Sequence, residues 1–195
     1  MILLIDNYDS FVYNIIHRIQ VPRSDILVLR NDQINSKEVF ENTRIRGVII
    51  SPGPMSPTEA GESNDIISLA ATSNIPVLGI CLGHQCIGHV FGCTVGRHAH
   101  PMHGKQSEIK IKQSPIFHGL NESISVGRYH SLEIKREQFN NEALEIIAEC
   151  DDGTVMAIQH RFRPIFGLQF HPESILSGEP GKAILNNFKN IVSRH

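Results

Sequence analysis

The sequence has few cysteines, little net charge and no long apolar run, and each absence excludes a class of protein. Its 195 residues include four cysteines, with neither a Cys-x-x-Cys pair nor disulfide-like spacing, which favours a reducing compartment. The formal net charge of −2 gives no electrostatic signature of binding to nucleic acid or to an anionic membrane. Because no apolar stretch is long enough to span a bilayer, we expect neither nucleic acid nor a membrane as a partner.

Composition and the N-terminal residues set the expected size and compartment. Hydrophobic residues make up 41% and charged residues 19% of the chain, as in ordinary globular proteins. A chain of this length suits one domain with a sizeable core, and we predict a single domain over residues 1–195. The first six residues indicate a strand, not a leader, so we expect a cytoplasmic protein in a bacterium, or a stromal one if it is plastid-encoded.

The first half of the chain alternates short apolar runs with stretches that have helical spacing. The predicted strands are residues 2–5, 26–29, 47–50 and 75–80. Asp9 and Ser10 offer an N-cap for the first helix, which would bury Phe11, Ile15 and Ile19. Nearly all-apolar strands alternating with helices are typical of a parallel sheet that is covered on both faces.

The second half has strands of a different kind. Residues 107–112 alternate apolar and polar side chains, and residues 144–148 and 155–158 flank an Asp-Gly turn that predicts a hairpin. A further strand over residues 165–170 precedes a closing helix that begins near Pro180. We therefore predict an α/β domain with a mostly parallel central sheet, helices on both faces, and antiparallel strands in the C-terminal half.

Segment 79–85, Gly-Ile-Cys-Leu-Gly-His-Gln, carries the strongest chemical signal. It places Cys81 between two glycines, after a buried strand and before a helix predicted from His84 to about Phe91. A nucleophile at such a tight strand-to-helix turn forms a nucleophile elbow, in which glycines keep the turn uncrowded. The positive end of the helix dipole would stabilise a thiolate there. The alternative interpretation is a small buried cysteine packed under a helix.

A second motif follows the late strand, in His171, Pro172 and Glu173. Pro172 favours an extended conformation for His171, and side chains at i and i+2 of an extended chain lie on the same side. Glu173 can then bind one imidazole nitrogen and leave the other for a thiol. Because the carboxyl ends of parallel strands meet at one edge, we predict a triad of Cys81, His171 and Glu173.

Together with Ser-Pro-Gly-Pro at 51–54, these motifs resemble the class I (triad-type) glutamine amidotransferases, and the resemblance covers the whole chain. Segments 5–11, 103–105 and 128–132 are similar to one branch, the small subunits of anthranilate synthase and aminodeoxychorismate synthase. The resemblance implies that Cys81 attacks the side-chain amide of L-glutamine while His171 transfers the proton. The ammonia would pass to a large chorismate-binding synthase subunit, in a heterodimer or a heterotetramer.

The resemblance also implies roles for residues around the triad. The backbone N–H groups of Gly53 and Leu82 would form the oxyanion hole. The residues expected to bind glutamine are Gly53, Pro54, Met55, Gln85, Ser131 and Leu132. Met55 stands where most relatives have glycine. Those expected to contact the partner are His103, Gly104 and Lys105. We expect no cofactor and no metal in this subunit, and Mg²⁺ would belong to the synthase.

Several alternatives remain open. Ammonia could instead serve aminodeoxychorismate synthesis, or one subunit could serve both partners. An α/β-hydrolase-like esterase is disfavoured because the acid follows the histidine, and a silent interaction subunit would not need an intact triad. The three histidines within residues 98–103 could suggest zinc, but no acidic or cysteine ligand lies at suitable spacing, which favours a polar loop facing the partner.

Overall fold

The computed structural model describes residues 1–42 and 44–195 and contains a nine-stranded mixed sheet, a two-stranded sheet and five α-helices within those ranges. The strands are β1 (Ile2–Asp6), β2 (Ile26–Arg30), β3 (Gly47–Ile50), β4 (Val77–Ile80), β5 (Val95–Arg97), β6 (Lys105–Ile111), β7 (Ser123–Arg128), β8 (Leu132–Ile134), β9 (Leu144–Glu149), β10 (Val155–His160) and β11 (Ile165–Leu168). The helices are α1 (Val12–Ile19), α2 (Ser36–Asn42), α3 (Ser63–Thr72), α4 (Leu82–Val90) and α5 (Gly178–Arg194).

The large sheet has a parallel half and an antiparallel half. Its order is β2-β1-β3-β4-β11-β10-β9-β6-β7, with parallel pairing from β2 through β11 and antiparallel pairing from β11 to β7. This arrangement confirms the predicted α/β fold. Because β4 and β11 are parallel neighbours, the residues that follow them emerge at the same edge of the sheet. Cys81 follows β4 directly, and His171 lies shortly after the end of β11.

Alternate side chains of the central strands build separate cores on the two faces of the sheet. Leu4 and Leu78 belong to the core that includes α1 and α5. Leu3 and Val77, their neighbours in sequence, belong to the opposite core with α3 and α4. The strands are nearly all apolar because both of their faces are buried, as the sequence pattern predicted. None of the helices in the described ranges has the length and apolarity that crossing a bilayer requires.

Several predicted boundaries were wrong. The N-cap of α1 is Phe11, which makes no side-chain capping bond and is exposed; Asp9 instead accepts a hydrogen bond from the Phe11 N–H (3.0 Å). The strand predicted over residues 75–80 begins at Val77, after a proline that has no N–H to donate. The strand predicted over 165–170 ends at Leu168, and by His171 the chain has left β10, since the His171 N–H donates to Gly127 on β7 (3.0 Å).

The structure also contains strands that the sequence pattern did not reveal. β7 extends the large sheet, and β5 pairs with β8 in a separate antiparallel ribbon that joins Arg97 to Leu132. Both ribbon strands are only three residues long, too short to show a period-two pattern. The ribbon matters because it fixes the position of Leu132, one of the residues expected to bind glutamine.

Helix α4 packs with its backbone directly on the sheet, and two glycines make this contact possible. A Cβ atom at Gly83 would lie 2.4 Å from the carbonyl oxygen of Ile50 on β3. A Cβ atom at Gly79 would lie 2.4 Å from the carbonyl oxygen of Gly83. Both distances are shorter than any carbon–oxygen contact allows, so a side chain at either position would push the helix away from the strands.

Replacing Gly83 with alanine should therefore destabilise the protein. We expect Gly83→Ala to lower the free energy of unfolding in urea by about 1–3 kcal/mol, the usual cost of overpacking a rigid contact. Gly96→Ala is the matched control, because its Cβ would meet only the flexible end of the Lys135 side chain. Equal unfolding midpoints for wild type and Gly83→Ala would contradict this account of the helix contact.

Candidate active site

Cys81 occupies a strained turn between β4 and α4. Its backbone has φ 52° and ψ −100°, a conformation rare for any residue with a side chain. The Cys81 N–H donates to the carbonyl of Leu168 at the end of β11 (2.7 Å), and the carbonyl of Cys81 accepts the first helical bond from Gln85 (3.1 Å). The turn thus has the geometry predicted for a nucleophile elbow. Leu82, as the first residue of α4, has an N–H without an intrahelical acceptor.

His171 and Glu173 form a buried pair beside this turn. Nδ1 of His171 lies 2.6 Å from Oε1 of Glu173, and both residues are almost fully buried. The Ser177 hydroxyl and the Gly127 carbonyl fix the His171 backbone. Nε2 of His171 has no hydrogen-bond partner within the described residues, so this nitrogen is available to a reacting group. His171 and Glu173 therefore pair as predicted, but through a turn and not an extended chain, because the Ser174 N–H donates to the His171 carbonyl (3.1 Å).

Electrostatics in the pair favour a charged imidazole. Burial by itself lowers the pKa of His171, but the negative charges of Glu173 and of the Cys81 sulfur act in the opposite direction. The charges prevail, and the pKa of His171 is raised well above its usual value. A thiolate facing an imidazolium is the form in which a cysteine–histidine pair reacts. Burial and the charge of Glu173 also raise the pKa of Asp9 nearby.

The three residues of the predicted triad line one cavity of about 330 Å³. Its remaining lining residues are Asp9, Phe11, Asn14, Pro52, Gly53, His103, Tyr129, Ser174 and Ile175. This volume suits a small polar substrate. A larger open hollow of about 1010 Å³ runs along residues 110–123, but it contains none of the triad residues.

The Ser-Pro-Gly-Pro loop is attached to Asn7, which the sequence analysis did not single out. The backbone N–H of Asn7 donates to the Ser51 hydroxyl (2.9 Å), and its side-chain amide donates to the Ser51 carbonyl (3.0 Å). The Ser63 hydroxyl donates to the Asn7 side-chain oxygen (2.8 Å), which completes the buried network. A Cβ atom at Gly53 would lie 2.5 Å from the Asn7 carbonyl, so only glycine fits where this loop meets the cavity.

The residues expected to bind glutamine lie in three places. Gly53 lines the cavity, whereas Pro54 and Met55 are exposed and are not among its lining residues. Met55 has φ 73°, a backbone conformation that favours glycine over residues with a side chain. Gln85, Ser131 and Leu132 are not among the lining residues either: Ser131 is exposed, and Gln85 donates its amide hydrogen to the carbonyl of Leu132 (3.2 Å) behind Cys81 and Gln169.

Gln169 connects Gln85 to the nucleophile, and it is a residue that the sequence analysis missed. Its side-chain amide donates to the Cys81 sulfur (3.7 Å), and its side-chain oxygen accepts from Gln85 (3.2 Å). Gln169 is fully buried. The available signal was a polar residue in an apolar strand, two positions before His171 and hence on the same side of an extended chain.

The residues expected to contact a partner lie at the rim. His103 lines the cavity, and its ring lies 6.1 Å from that of Tyr129, which in turn lies 5.0 Å from His171. Gly104 and Lys105 are exposed. The histidines within residues 98–103 do not meet at one site: His98 is buried against Thr154 (3.0 Å), whereas His103 faces the cavity. Within the described ranges no group of three or more His, Cys, Asp or Glu side chains could hold a metal ion.

Comparisons with known proteins agree with this geometry. The family model for glutamine amidotransferase class-I matches residues 3–191. The chain is 47% identical to anthranilate synthase component 2 of Cyanophora paradoxa, over 99% of this chain and all of that protein. It is 45% identical to aminodeoxychorismate/anthranilate synthase component 2 of Bacillus subtilis, over 96% and 95% of the two chains.

The fold is also found in a solved structure. The crystal structure of a putative GMP synthase subunit from Thermoplasma acidophilum is 28% identical, with a TM-score of 0.83 over 99% of this chain and 94% of that one. The likeness thus extends from the motifs to the whole fold. The chain belongs to the class I glutamine amidotransferase family.

Proposed function

We propose that the protein is the glutaminase subunit of anthranilate synthase and supplies ammonia from L-glutamine to a chorismate-binding partner. The observation that carries the proposal is the strained Cys81 elbow facing the buried His171–Glu173 pair in one cavity of about 330 Å³. The names of the relatives support this choice of pathway, since both include anthranilate synthase. The designation "component 2" also supports a partner, because it implies a synthase with another component.

The geometry supports hydrolysis through a covalent thioester. The Cys81 thiolate attacks the side-chain carbonyl carbon of glutamine, and His171 donates its proton to the leaving nitrogen as the C–N bond breaks. The N–H groups of Leu82 and Gly53 would stabilise the tetrahedral oxyanion, and such donors typically contribute ~10²–10³ in rate each. Water then adds to the thioester with His171 as the base, which releases glutamate and restores the thiol.

The rim of the cavity suits a docked partner. Phe11 and Ile175 line the cavity, yet 53% and 83% of their respective surfaces are exposed. With His103 they surround the triad with apolar and aromatic surface. A synthase subunit on this rim would cover that surface and shield ammonia from water and from protonation. Gly104 and Lys105 extend the same contact, and the Mg²⁺ required by the chemistry on chorismate would be held by the synthase.

The sister pathway is the second candidate. The Bacillus subtilis relative carries both names, aminodeoxychorismate and anthranilate synthase component 2, which favours this alternative specifically. Every residue of the proposed reaction is the same for both products, because glutamine hydrolysis is the shared step. The difference lies in the partner that accepts the ammonia.

Reconstitution with each partner should identify the pathway. We expect glutamine- and chorismate-dependent anthranilate formation when this chain is mixed with an anthranilate synthase large subunit. Product formation with an aminodeoxychorismate synthase large subunit, measured in parallel, tests a shared role. Formation of aminodeoxychorismate alone would contradict the anthranilate assignment, and no glutamine-dependent product with either partner would contradict the proposed function.

Cys81→Ser should abolish glutamine-dependent synthesis and leave ammonia-dependent synthesis by the same complex unchanged. The serine hydroxyl is not ionised beside His171, so the attacking anion is lost. A glutamine-analogue electrophile should label wild type at Cys81, as detected by mass spectrometry, and leave the variant unlabelled. Cys86→Ala is the matched control, since burial raises the pKa of the Cys86 thiol to about 12 and keeps it unreactive. Glutamine use by Cys81→Ser would contradict the mechanism.

Glu173→Gln should lower both the activity and the pKa of His171. Because the Glu173 charge raises that pKa, its removal should let His171 lose its proton at lower pH, as measured by NMR titration. We expect kcat for glutamine to fall by about 10²-fold or more, the range that general acid–base catalysis contributes. Glu179→Gln, at an exposed carboxylate on α5, should change neither quantity. An unchanged His171 titration in Glu173→Gln would refute this role.

A further inference from the structure

Arg128 is a buried cation that donates no hydrogen bond to a carboxylate among the described residues. It is the last residue of β7, only 1% of its surface is exposed, and within the described residues it forms no ion pair with a carboxylate. Its Nη1 donates to the Ser107 hydroxyl (3.3 Å) and to the Cys150 sulfur (3.4 Å), and its Nη2 lies 3.2 Å from Nε2 of His98. Burying a guanidinium without a carboxylate in direct contact is costly, and the charge of Arg128 reaches Asp152 only at longer range, so the position requires a reason.

The remaining contact of Arg128 supplies that reason. Its Nε donates to Nε2 of His130 at 3.1 Å. Since a guanidinium has donors and no acceptor, Nε2 of His130 must offer a lone pair, and the proton of the neutral ring must be on Nδ1. Nδ1 lies 2.9 Å from the carbonyl oxygen of Leu132, to which it can donate only in this tautomer. Burial first, and then the charge of Arg128, lower the pKa of His130 to about 3, which keeps the ring neutral.

The Leu132 carbonyl is the acceptor that holds Gln85. It accepts from the side-chain amide of Gln85 (3.2 Å), which is joined through Gln169 to the Cys81 sulfur. The neighbouring backbone is fixed independently, because the His98 N–H donates to the Ser131 carbonyl (2.8 Å). The Leu132 carbonyl therefore depends on His130 for its second hydrogen bond.

We propose that Arg128 is a positioning residue for the glutamine site: it fixes the Nδ1–H tautomer of His130, which holds the Leu132 carbonyl opposite Gln85. This inference rests on the proposed function and on the roles in glutamine binding that the family resemblance implies for Gln85 and Leu132. In the other tautomer, the Nδ1 lone pair of His130 would face the carbonyl oxygen and repel it. The Leu132 carbonyl would then turn away, and Gln85 would keep only its hydrogen bond to Gln169. The consequence concerns substrate binding and leaves the bond-breaking step unaffected.

Arg128→Met tests the proposal, because methionine keeps an apolar stem and removes every donor. In the reconstituted complex we expect KM for glutamine to rise about five- to tenfold, the loss of roughly one hydrogen bond, with kcat within about twofold of wild type. Ammonia-dependent synthesis should be unchanged. Imidazole ¹⁵N NMR should show His130 with its proton on Nδ1 in wild type and on Nε2 in Arg128→Met, a change that mere loss of packing would not produce.

The controls separate positioning from folding. Ser107→Ala removes another contact of Arg128 and should leave KM and the tautomer unchanged. His130→Asn added to Arg128→Met should restore KM, because the asparagine amide can donate to Leu132 without a choice of tautomer. Should Arg128→Met not fold, His130→Glu keeps an acceptor for Arg128 but has no donor for Leu132, and the same rise in KM is expected.

A wild-type KM in Arg128→Met, or a raised KM with the proton still on Nδ1, would overturn the proposal. The proposed function would fail separately, through absence of glutaminase activity in the wild-type complex. In that case the NMR measurement would still decide whether Arg128 sets the tautomer of His130.

Discussion

The contact between the backbone of α4 and the C-terminal end of β3 is the constraint on which the rest of the site depends. Gly83 lies against the Ile50 carbonyl with no room for a Cβ, so the helix begins as close to the sheet as a helix can. To enter the helix from β4 over so short a distance, the chain must take positive φ at Cys81. Such a conformation costs of the order of 1–3 kcal/mol, which the buried side chains of Leu82, Cys86 and Ile87 offset by packing. The nucleophile is therefore held in place by the core.

The His171–Glu173 pair is assembled by a different and more local principle. Proline between the two residues limits the backbone and brings them to a 2.6 Å contact, and the Gly127 carbonyl on β7 then holds the His171 backbone in place. Because the pair is buried, two opposing effects set the pKa of His171. Burial opposes a charged imidazole and lowers this pKa, while the charges of Glu173 and Cys81 raise it and prevail. The pair would be useless without the parallel pairing of β4 and β11, which brings it to the same edge of the sheet as the elbow.

This contrast explains what could be predicted from the sequence. The alternating apolar runs predicted the α/β fold, and short local patterns predicted the elbow and the pairing of His171 with Glu173, although that pairing is made in a turn and not in an extended chain. The roles of Asn7 and Gln169 were missed, because each depends on partners that are distant in sequence, and that of Arg128 was missed because the Leu132 carbonyl meets Gln85 only in the folded chain. Asn7 binds Ser51 and Ser63, 44 and 56 residues away, and Gln169 reaches Cys81 across 88 residues. The three-residue strands of the β5–β8 ribbon were missed because a short strand has no measurable period.

The hydrogen-bond chain through Gln169 couples the nucleophile to the wall on which glutamine would bind. A side-chain amide has one donating and one accepting end, and in Gln169 both are engaged: the NH₂ group faces the Cys81 sulfur and the oxygen faces Gln85. A negatively charged sulfur strengthens the first of these bonds, since charge-assisted hydrogen bonds are roughly twice as strong as neutral ones. Ionisation of Cys81 therefore stabilises the orientation of Gln169 that offers its oxygen to Gln85, which in turn donates to Leu132. The Cys81 thiolate and the hydrogen bonds that order Gln85 and Leu132 therefore stabilise each other through the Gln169 side chain.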